Sequence, residues 1–417
     1  MIWLLLLCMV ALLVLRQSAI VILLFGTAFV HLVWGDGHLE YLVEDMWISL
    51  DNDLMLAIPM FLIAGNIMTR GSIARRLIRI TTLLTDPLPG GLGVAAILSC
   101  ALFAAISGSS PVTLLAVGAI LYPALIENGY SKRFALGAIT SGGTLGIIIP
   151  PSIPLIVYGL VTEQSIADLF IAGIGPGILL TIALAGYALW VNRKRPARPF
   201  QRREFLRALR DGIWALLLPV VLLGGIYSGY FSPTEAAAVG LAYGLLVEMF
   251  IHRELTLADF HRTIIDAAKM LGMLFPIIAV ALSLKSVLTI ERIPQEIAVW
   301  VTSMTDSPIA FLLAVNLLLL VVGCFLDVVS AIVILAPLLL APALAYGINP
   351  IHLGIIMVVN LEIGFLTPPM GLNLFVAMSV FREPFKEICL AVMPFILIII
   401  AVLMLIVFIP QISLFLL

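Results

Sequence analysis

The sequence predicts an all-α polytopic membrane protein built from two inverted repeats, each holding a re-entrant helical hairpin and a Pro-Pro-broken helix. Three observations predict it. Hydrophobic residues make up 62% and charged residues 11% of the 417 positions, against roughly 25% charged in an ordinary soluble domain. One set of spacings recurs at an offset of about 218 residues. Each copy of that pattern interrupts apolar sequence with a short polar stretch, which at membrane depth survives only buried in protein or lining a cavity.

Residues 1–50 read as N-terminal scaffold helices. They open on an apolar run without a basic leader or an A-x-A-like cleavage site, so it is expected to remain as the first membrane helix. Residues 1–34 fit one bent helix or two broken near Arg16, and the acidic stretch Asp36, Glu40, Glu44 and Asp45 follows. Cys8, Cys100, Cys324 and Cys389 are scattered through apolar sequence without metal-ligand spacing, as small packing residues are.

The first repeat is expected over 51–160. Its hairpin, near 92–126, consists of apolar stretches 92–106 and 112–126, each roughly 22 Å as helix and too short to cross a roughly 30 Å hydrocarbon core comfortably. Between them lies the polar tip Ser107-Gly108-Ser109-Ser110-Pro111. The helix 134–158 carries Ser141-Gly142-Gly143-Thr144-Leu145-Gly146 and then Pro150-Pro151. Proline lacks a donor and displaces the preceding turn, while glycine tolerates unusual dihedrals, so this helix should unwind and free carbonyl oxygens.

Residues 161–267 are expected to be scaffold helices joined by a basic loop, 193–210, with Arg193, Lys194, Arg195, Arg198, Arg202, Arg203, Arg207 and Arg210. The positive-inside rule places that loop in the cytoplasm. Lys132-Arg133 and Arg70, Arg75, Arg76 and Arg79 then fall on the same side, and the C-terminus on the other. Net charge, formally -2, says little by comparison, and no nucleic-acid partner is implied.

The second repeat is expected over 268–380, with a hairpin near 310–346, its tip Leu326-Asp327-Val328, and a broken helix 351–380 carrying Asn360, Gly364, Thr367 and Pro368-Pro369. A C-terminal helix occupies 387–417. Gly129 precedes Pro150 by 21 positions, and Gly347 precedes Pro368 by the same 21. Gly146 pairs with Gly364, Pro59 with Pro276, and Thr85-Asp86 with Thr305-Asp306. An odd number of full crossings separates the starts of the halves, so they should be inverted.

Inverted repeats with broken helices are the architecture of many secondary transporters, whose substrates and ions bind near the midplane. Freed carbonyls suit a hard monovalent cation; hairpin tips and restarted helix N-termini offer N–H donors to an anion. Asp327, an acid inside apolar sequence, reads as a cation ligand or its support. Ser107, Ser109 and Ser110 read either as part of such a site or as a helix-packing patch. Glu362 is expected to face a water-filled cavity or stay protonated, and His352 to be a loop histidine at the membrane surface. There is no phosphate-binding loop, H-E-x-x-H motif or G-x-S-x-G elbow.

At these residues the chain closely resembles the large membrane subunit, the M or DctM-like component, of tripartite ATP-independent periplasmic (TRAP) transporters. The carrying stretches are AIPMFLIAGNIM (57–68), PGGL (89–92), FAAISGSS (103–110), GY (129–130), LGIIIPPSI (145–153), FSPTEAAAV (231–239), GCFLD (323–327) and IGFLTPPMGLNLFV (363–376). The similarity covers nearly the whole chain after about residue 50. It departs at Pro111-Val112, where smaller residues usually follow SGSS.

The resemblance implies an elevator-type ion-transporter fold and no enzyme activity. It implies a permease subunit that imports a small organic acid of carboxylate type with sodium as coupling ion and no organic cofactor. It further implies a soluble periplasmic substrate-binding protein, a small four-helix membrane subunit on a separate chain, and a multi-pass position in the lipid bilayer of the bacterial inner membrane. Carried onto matching positions, one sodium site would use Ser107, Gly108 and Ser109 with Gly142 and the stretch before Pro150. The other would use Gly323, Asp327, Asn360 and Thr367, with substrate near Ser110, Thr144 and Asn373. Two alternatives stand beside this reading: a sodium/anion symporter without a binding protein, and an intramembrane hydrolase using Ser109 or Ser110 that lacks a visible base.

Overall fold

All regular structure among the described residues is helical. The computed structural model describes residues 17–34 and 37–417, with a few isolated positions before them; the expected break near Arg16 and the acidic Asp36 lie outside the described residues. Among the described residues seven helices are long and apolar enough to cross a membrane, and two bent pairs meet the same measure only jointly.

Helices α1 (Ala19–Val33) and α2 (Leu39–Leu50) precede the first half. That half runs through α3 (Ala57–Arg70), α4 (Ile73–Thr85), the hairpin arms α5 (Gly91–Ser107) and α6 (Ser110–Glu127), α7 (Lys132–Gly143), a 3-10 turn (Thr144–Ile147), α8 (Ile153–Thr162) and α9 (Ile166–Asn192). Three connecting helices follow: α10 (Arg202–Asp211), α11 (Ile213–Tyr227) and α12 (Pro233–Leu246), which ends in a π-helical turn. The second half holds α13 (Leu257–Ile290), α14 (Ile293–Met304), the hairpin arms α15 (Pro308–Gly323) and α16 (Val328–Ala345), α17 (Pro350–Phe365), α18 (Leu372–Phe381) and α19 (Phe385–Phe408), and α20 (Gln411–Leu414) ends the chain.

Caps and turns match at the 218-residue offset. Ser131 and Asn349, 218 positions apart, cap α7 and α17, each accepting a backbone N–H of the first turn. Gly129 and Gly347 precede them with φ of 74° and 72°, a left-handed conformation that glycine adopts without a Cβ penalty. Both Pro150-Pro151 and Pro368-Pro369 bonds are cis. Both expected broken helices are broken: the region 134–158 is α7, the 3-10 turn and α8, and the region 351–380 is α17 and α18.

Two boundaries differ from expectation. The stretch 193–210, expected as a loop, holds the start of the separate helix α10 (Arg202–Asp211), bent 57° from α11. The C-terminal helix ends at Phe408 rather than 417, because Pro410 has no N–H to continue the ladder and holds Ile409 in a non-helical conformation (φ -125°, ψ 80°).

Second hairpin arms pack reciprocally across the halves: α6 lies on α18, and α16 lies on α8. At one end of the molecule Arg75 pairs with Glu254 (3.3 Å), Lys132 with Glu383 (2.5 Å), and Arg195 donates to the Asn128 carbonyl (3.1 Å). The other end holds Lys285–Glu163 (2.7 Å), the Tyr158 hydroxyl on the Pro350 carbonyl (2.6 Å), and Phe311 stacked on Tyr346 (5.0 Å). The 27-residue α9, about 40 Å long, joins the two ends.

Candidate functional site

Each hairpin tip is held by the broken helix of its own half. In the first, α5 ends at Ser107, Gly108 turns the chain at φ 60°, and extended Ser109 starts α6. A Cβ on Gly108 would lie 2.9 Å from the Pro151 carbonyl oxygen, so both conformation and space require glycine there. Its own carbonyl accepts from Ile153 N–H at 3.2 Å. The 3-10 turn presses equally close, with the missing Cβ of Gly146 2.5 Å from the Ser109 carbonyl oxygen. In the second half the Cys324 carbonyl accepts from Met370 N–H at 3.2 Å, and Gly364 leaves room for the Gly323 carbonyl against it.

Side chains at the two tips differ. Buried Ser107 and Thr113 share a hydrogen bond of 2.6 Å between their hydroxyls. At the equivalent of Ser109 stands Asp327, which caps α16: its Oδ2 accepts from Ser330 N–H at 3.0 Å and its Oδ1 from the Ser330 hydroxyl. Asn360 donates to Asn316, at 2.7 Å to Oδ1 and 3.0 Å to the carbonyl, and leaves its own buried Oδ1 without a partner. Thr367 donates to the Ile363 carbonyl at 2.7 Å. Gly142 faces Cys100 on α5, where a Cβ would meet the sulfur at 3.0 Å.

The residues expected to hold substrate are fully buried. Asn373 donates to the Ser110 hydroxyl at 2.6 Å across the α6–α18 contact, and the Thr144 hydroxyl donates to the Ser141 carbonyl. Glu362, 1% exposed, sits with its carboxyl against Thr144 and one oxygen unpartnered, so it does not face an open aqueous cavity. His352 is corrected: it lies in the first turn of α17 and is 2% exposed, not a surface loop residue, because α17 starts two positions earlier than a loop reading allows and packs along α19. Among the described residues the Ser110 hydroxyl is partnered by the Asn373 amide and by no histidine.

One cavity of about 350 Å³ brings the tips together, with Gly108 and Ser109 on one side and Asp327 on the other. Four helix N-termini open on it: Pro111 of α6, Ile153 of α8, Val328 of α16 and Leu372 of α18. Unsatisfied N–H groups at such termini carry partial positive charge and attract anions. Among the described residues Asp327 is the one charged residue in its lining, and Met270, Met273, Leu274 and Ile277 of α13 close its far wall. A neighbouring cavity of about 260 Å³ is lined by Gly323, Asp327 and Phe375. Ser110, Thr144 and Asn373 lie behind these walls rather than in them.

Sequence reading missed Thr113, Asn316 and Ser330, which fix Ser107, Asn360 and Asp327 respectively. A lone amide such as Asn316 inside the apolar run 308–326 was the available signal; the hydroxyls carried none. Among the described residues no group of three or more His, Cys, Asp or Glu side chains could hold a metal ion.

The sequence profile of the family described as "Tripartite ATP-independent periplasmic transporter, DctM component" matches residues 5–412. The C4-dicarboxylate TRAP transporter large permease protein DctM of Pseudomonas aeruginosa is 47% identical over 363 residues, covering 86% of this chain and 85% of that protein. The isethionate TRAP transporter permease protein DctMQ of Oleidesulfovibrio alaskensis is 41% identical over 90% of this chain, which spans 60% of that longer relative. In three dimensions the chain is similar to the YdaH transporter of Alcanivorax borkumensis, with a TM-score of 0.64 and 15% identity over 90% of this chain and 89% of the other, a likeness of fold. The relatives are named as transporter permeases, not enzymes, and the chain is a multi-pass membrane protein belonging to the DctM component family of tripartite ATP-independent periplasmic transporters.

Proposed function

We propose that this chain is the permease through which a bacterial inner membrane imports a small organic acid of carboxylate type, driven by sodium and fed by a periplasmic binding protein. A smaller membrane subunit on a separate chain completes the scaffold. The observation that carries the reading is the meeting of both hairpin tips and four helix N-termini on one cavity, with a single carboxylate, Asp327, at its edge. Helix N-termini favour an anion, whereas Asp327, the Asn360 oxygen and the tip carbonyls favour a cation. A site holding both at once couples them by mutual attraction. C4-dicarboxylate and isethionate, named for two relatives, are both small anions.

Inversion of the halves is part of the proposal. It is supported by the feet of the first hairpin, Asp86 and Asn128, being tied to the Arg195 and Arg198 loop, while Tyr346, at the foot of the second, belongs with the opposite end. An elevator movement would carry the interlocked hairpins and broken helices past α13. Sodium would bind at two unequal positions, at the neutral tip with Ser107, Gly108, Ser109 and the Gly142 region, and at the acidic tip with Gly323, Asp327, Asn360 and Thr367.

Membrane vesicles holding the permease and its small subunit test this with radiolabelled succinate and isethionate. Uptake of at least one is expected to fall to background when either the sodium gradient or the binding protein is withheld. Uptake that persists without both would sink the proposal.

A further inference from the structure

The basic segment between α9 and α11 contains more cations than the fold uses. Arg195 is spent inward: it donates to the Asn128 and Gly129 carbonyls and lies over the Tyr130 ring at 3.9 Å. Arg198 likewise donates to Asn128 Oδ1 at 2.8 Å. By contrast Arg193, Arg202, Arg203, Arg207 and Arg210 are exposed and take part in no ion pair or hydrogen bond among the described residues. Of the two carboxylates in the same stretch, Asp211 is paired with Arg79, so Glu204 alone stands against five guanidinium groups and the surface stays positive enough to attract an external anion.

Their setting says what kind of anion. Helix α10 is amphipathic: Ala208 is buried against α4, Phe205 is half-buried, and the arginines occupy the opposite face. Leu206 is nonetheless 52% exposed, and the same exposed apolar stripe continues along α11 through Ile213, Leu217 and Val220. An exposed apolar face on a pair of span length is suited to hydrocarbon, which would put α10, bent 57° from α11, at the membrane boundary. Two exposed indoles bracket the segment, Trp190 (60%) at the end of α9 and Trp214 at the start of α11, and Arg193 lies 5.4 Å over the Trp190 ring. Tryptophan at a helix end marks headgroup depth.

We propose that residues 190–214 form a binding surface for anionic phospholipid headgroups, with Arg193, Arg202, Arg203, Arg207 and Arg210 as phosphate ligands and Trp190 and Trp214 as interfacial anchors. Because Arg195 and Arg198 of the same segment grip the foot of the first hairpin, bound lipid braces that foot.

The purified permease complex in nanodiscs of phosphatidylglycerol and of phosphatidylcholine provides the test, read by thermal midpoint and by mass spectrometry of retained lipid. The wild type is expected to melt several degrees higher in phosphatidylglycerol and to retain it. A variant with Arg202, Arg203, Arg207 and Arg210 each changed to Gln should lose that preference and retain at least about fivefold less phosphatidylglycerol, since each surface cation contributes on the order of a fivefold factor. The four Arg→Lys changes should keep most of it, and Arg262→Gln with Lys269→Gln should leave it unchanged. Undiminished retention in the Gln variant overturns the proposal. So does equal stabilisation by inorganic phosphate in phosphatidylcholine discs, which would mark a simple anion site, or cross-linking of Arg203→Cys to a partner subunit in place of lipid.

Discussion

At the scale of single residues, Asp327 has two duties that substitution can separate. Its carboxylate caps α16 through Ser330, and its charge stands at the edge of the cavity between the tips. Asparagine is as good a helix cap as aspartate but carries no charge. Asp327→Asn is therefore expected to melt within about 1 kcal/mol of wild type and yet to need about tenfold more sodium for half-maximal uptake, as loss of a charged ligand does. Asp327→Ala should lose both. A wild-type sodium response in Asp327→Asn would show that the residue is a cap alone. Glycine packing gives a second contrast: a methyl on Gly364 would run into the Gly323 backbone, whereas one on Gly272 meets nothing within 4 Å. Gly364→Ala should destabilise the folded protein by about 1–3 kcal/mol, and Gly272→Ala should be neutral or slightly stabilising, measurable by thermal unfolding in detergent.

At the scale of elements, α4 takes its N-terminal cap from outside its own half. Fully buried Glu248, at the end of α12, accepts from the N–H groups of Ser72 and Ile73, both at 2.8 Å. Ser72 also holds His252 Nδ1 at 2.9 Å and the Arg76 guanidinium at 3.0 Å. Burial, and then the positive charge of Arg76, hold the His252 imidazole below its ordinary value of 6.5, with Glu248 and Glu254 pulling the other way. A histidine depressed in the fold binds its proton more readily when unfolded, so its contribution is complete above about pH 6.5 and is lost as pH falls toward the folded-state value. Melting temperature should accordingly drop between about pH 7 and 5, and His252→Gln should flatten that drop; an unchanged slope would count against the clasp. Nothing in the sequence announces it, since Ser72 and Glu248 stand 176 positions apart. The hairpin tips and breaks were legible because Ser, Gly and Pro act through local backbone and keep their spacing in each half. The role of Thr113 and the burial of His352 were not, because each depends on which residues lie across from it.

For the whole molecule, helix packing bears on which part can move. Reciprocal packing of α6 on α18 and α16 on α8 makes the two hairpins and both broken helices one interlocked unit, so neither tip is expected to move alone. The cavity between the tips has its far wall on α13, whose Met270, Met273, Leu274 and Ile277 are apolar and make no hydrogen bonds to the tips. A surface of flexible, unbranched methionine and aliphatic side chains slides at low cost because no directional bond must break. If that wall is the sliding surface, tying it to a tip should stop transport without harming the fold. In a background with all four native cysteines replaced, Met273→Cys with Val329→Cys places two thiols, one on α13 and one on α16, in the lining of the same cavity. Oxidative cross-linking of the pair is expected to lower uptake more than about tenfold, as arrest of a required conformational step does, with recovery on reduction and no effect of the oxidant on either single variant. Uptake that survives quantitative cross-linking would mean that α13 travels with the tips, and the sliding surface would then have to lie elsewhere in the helix packing.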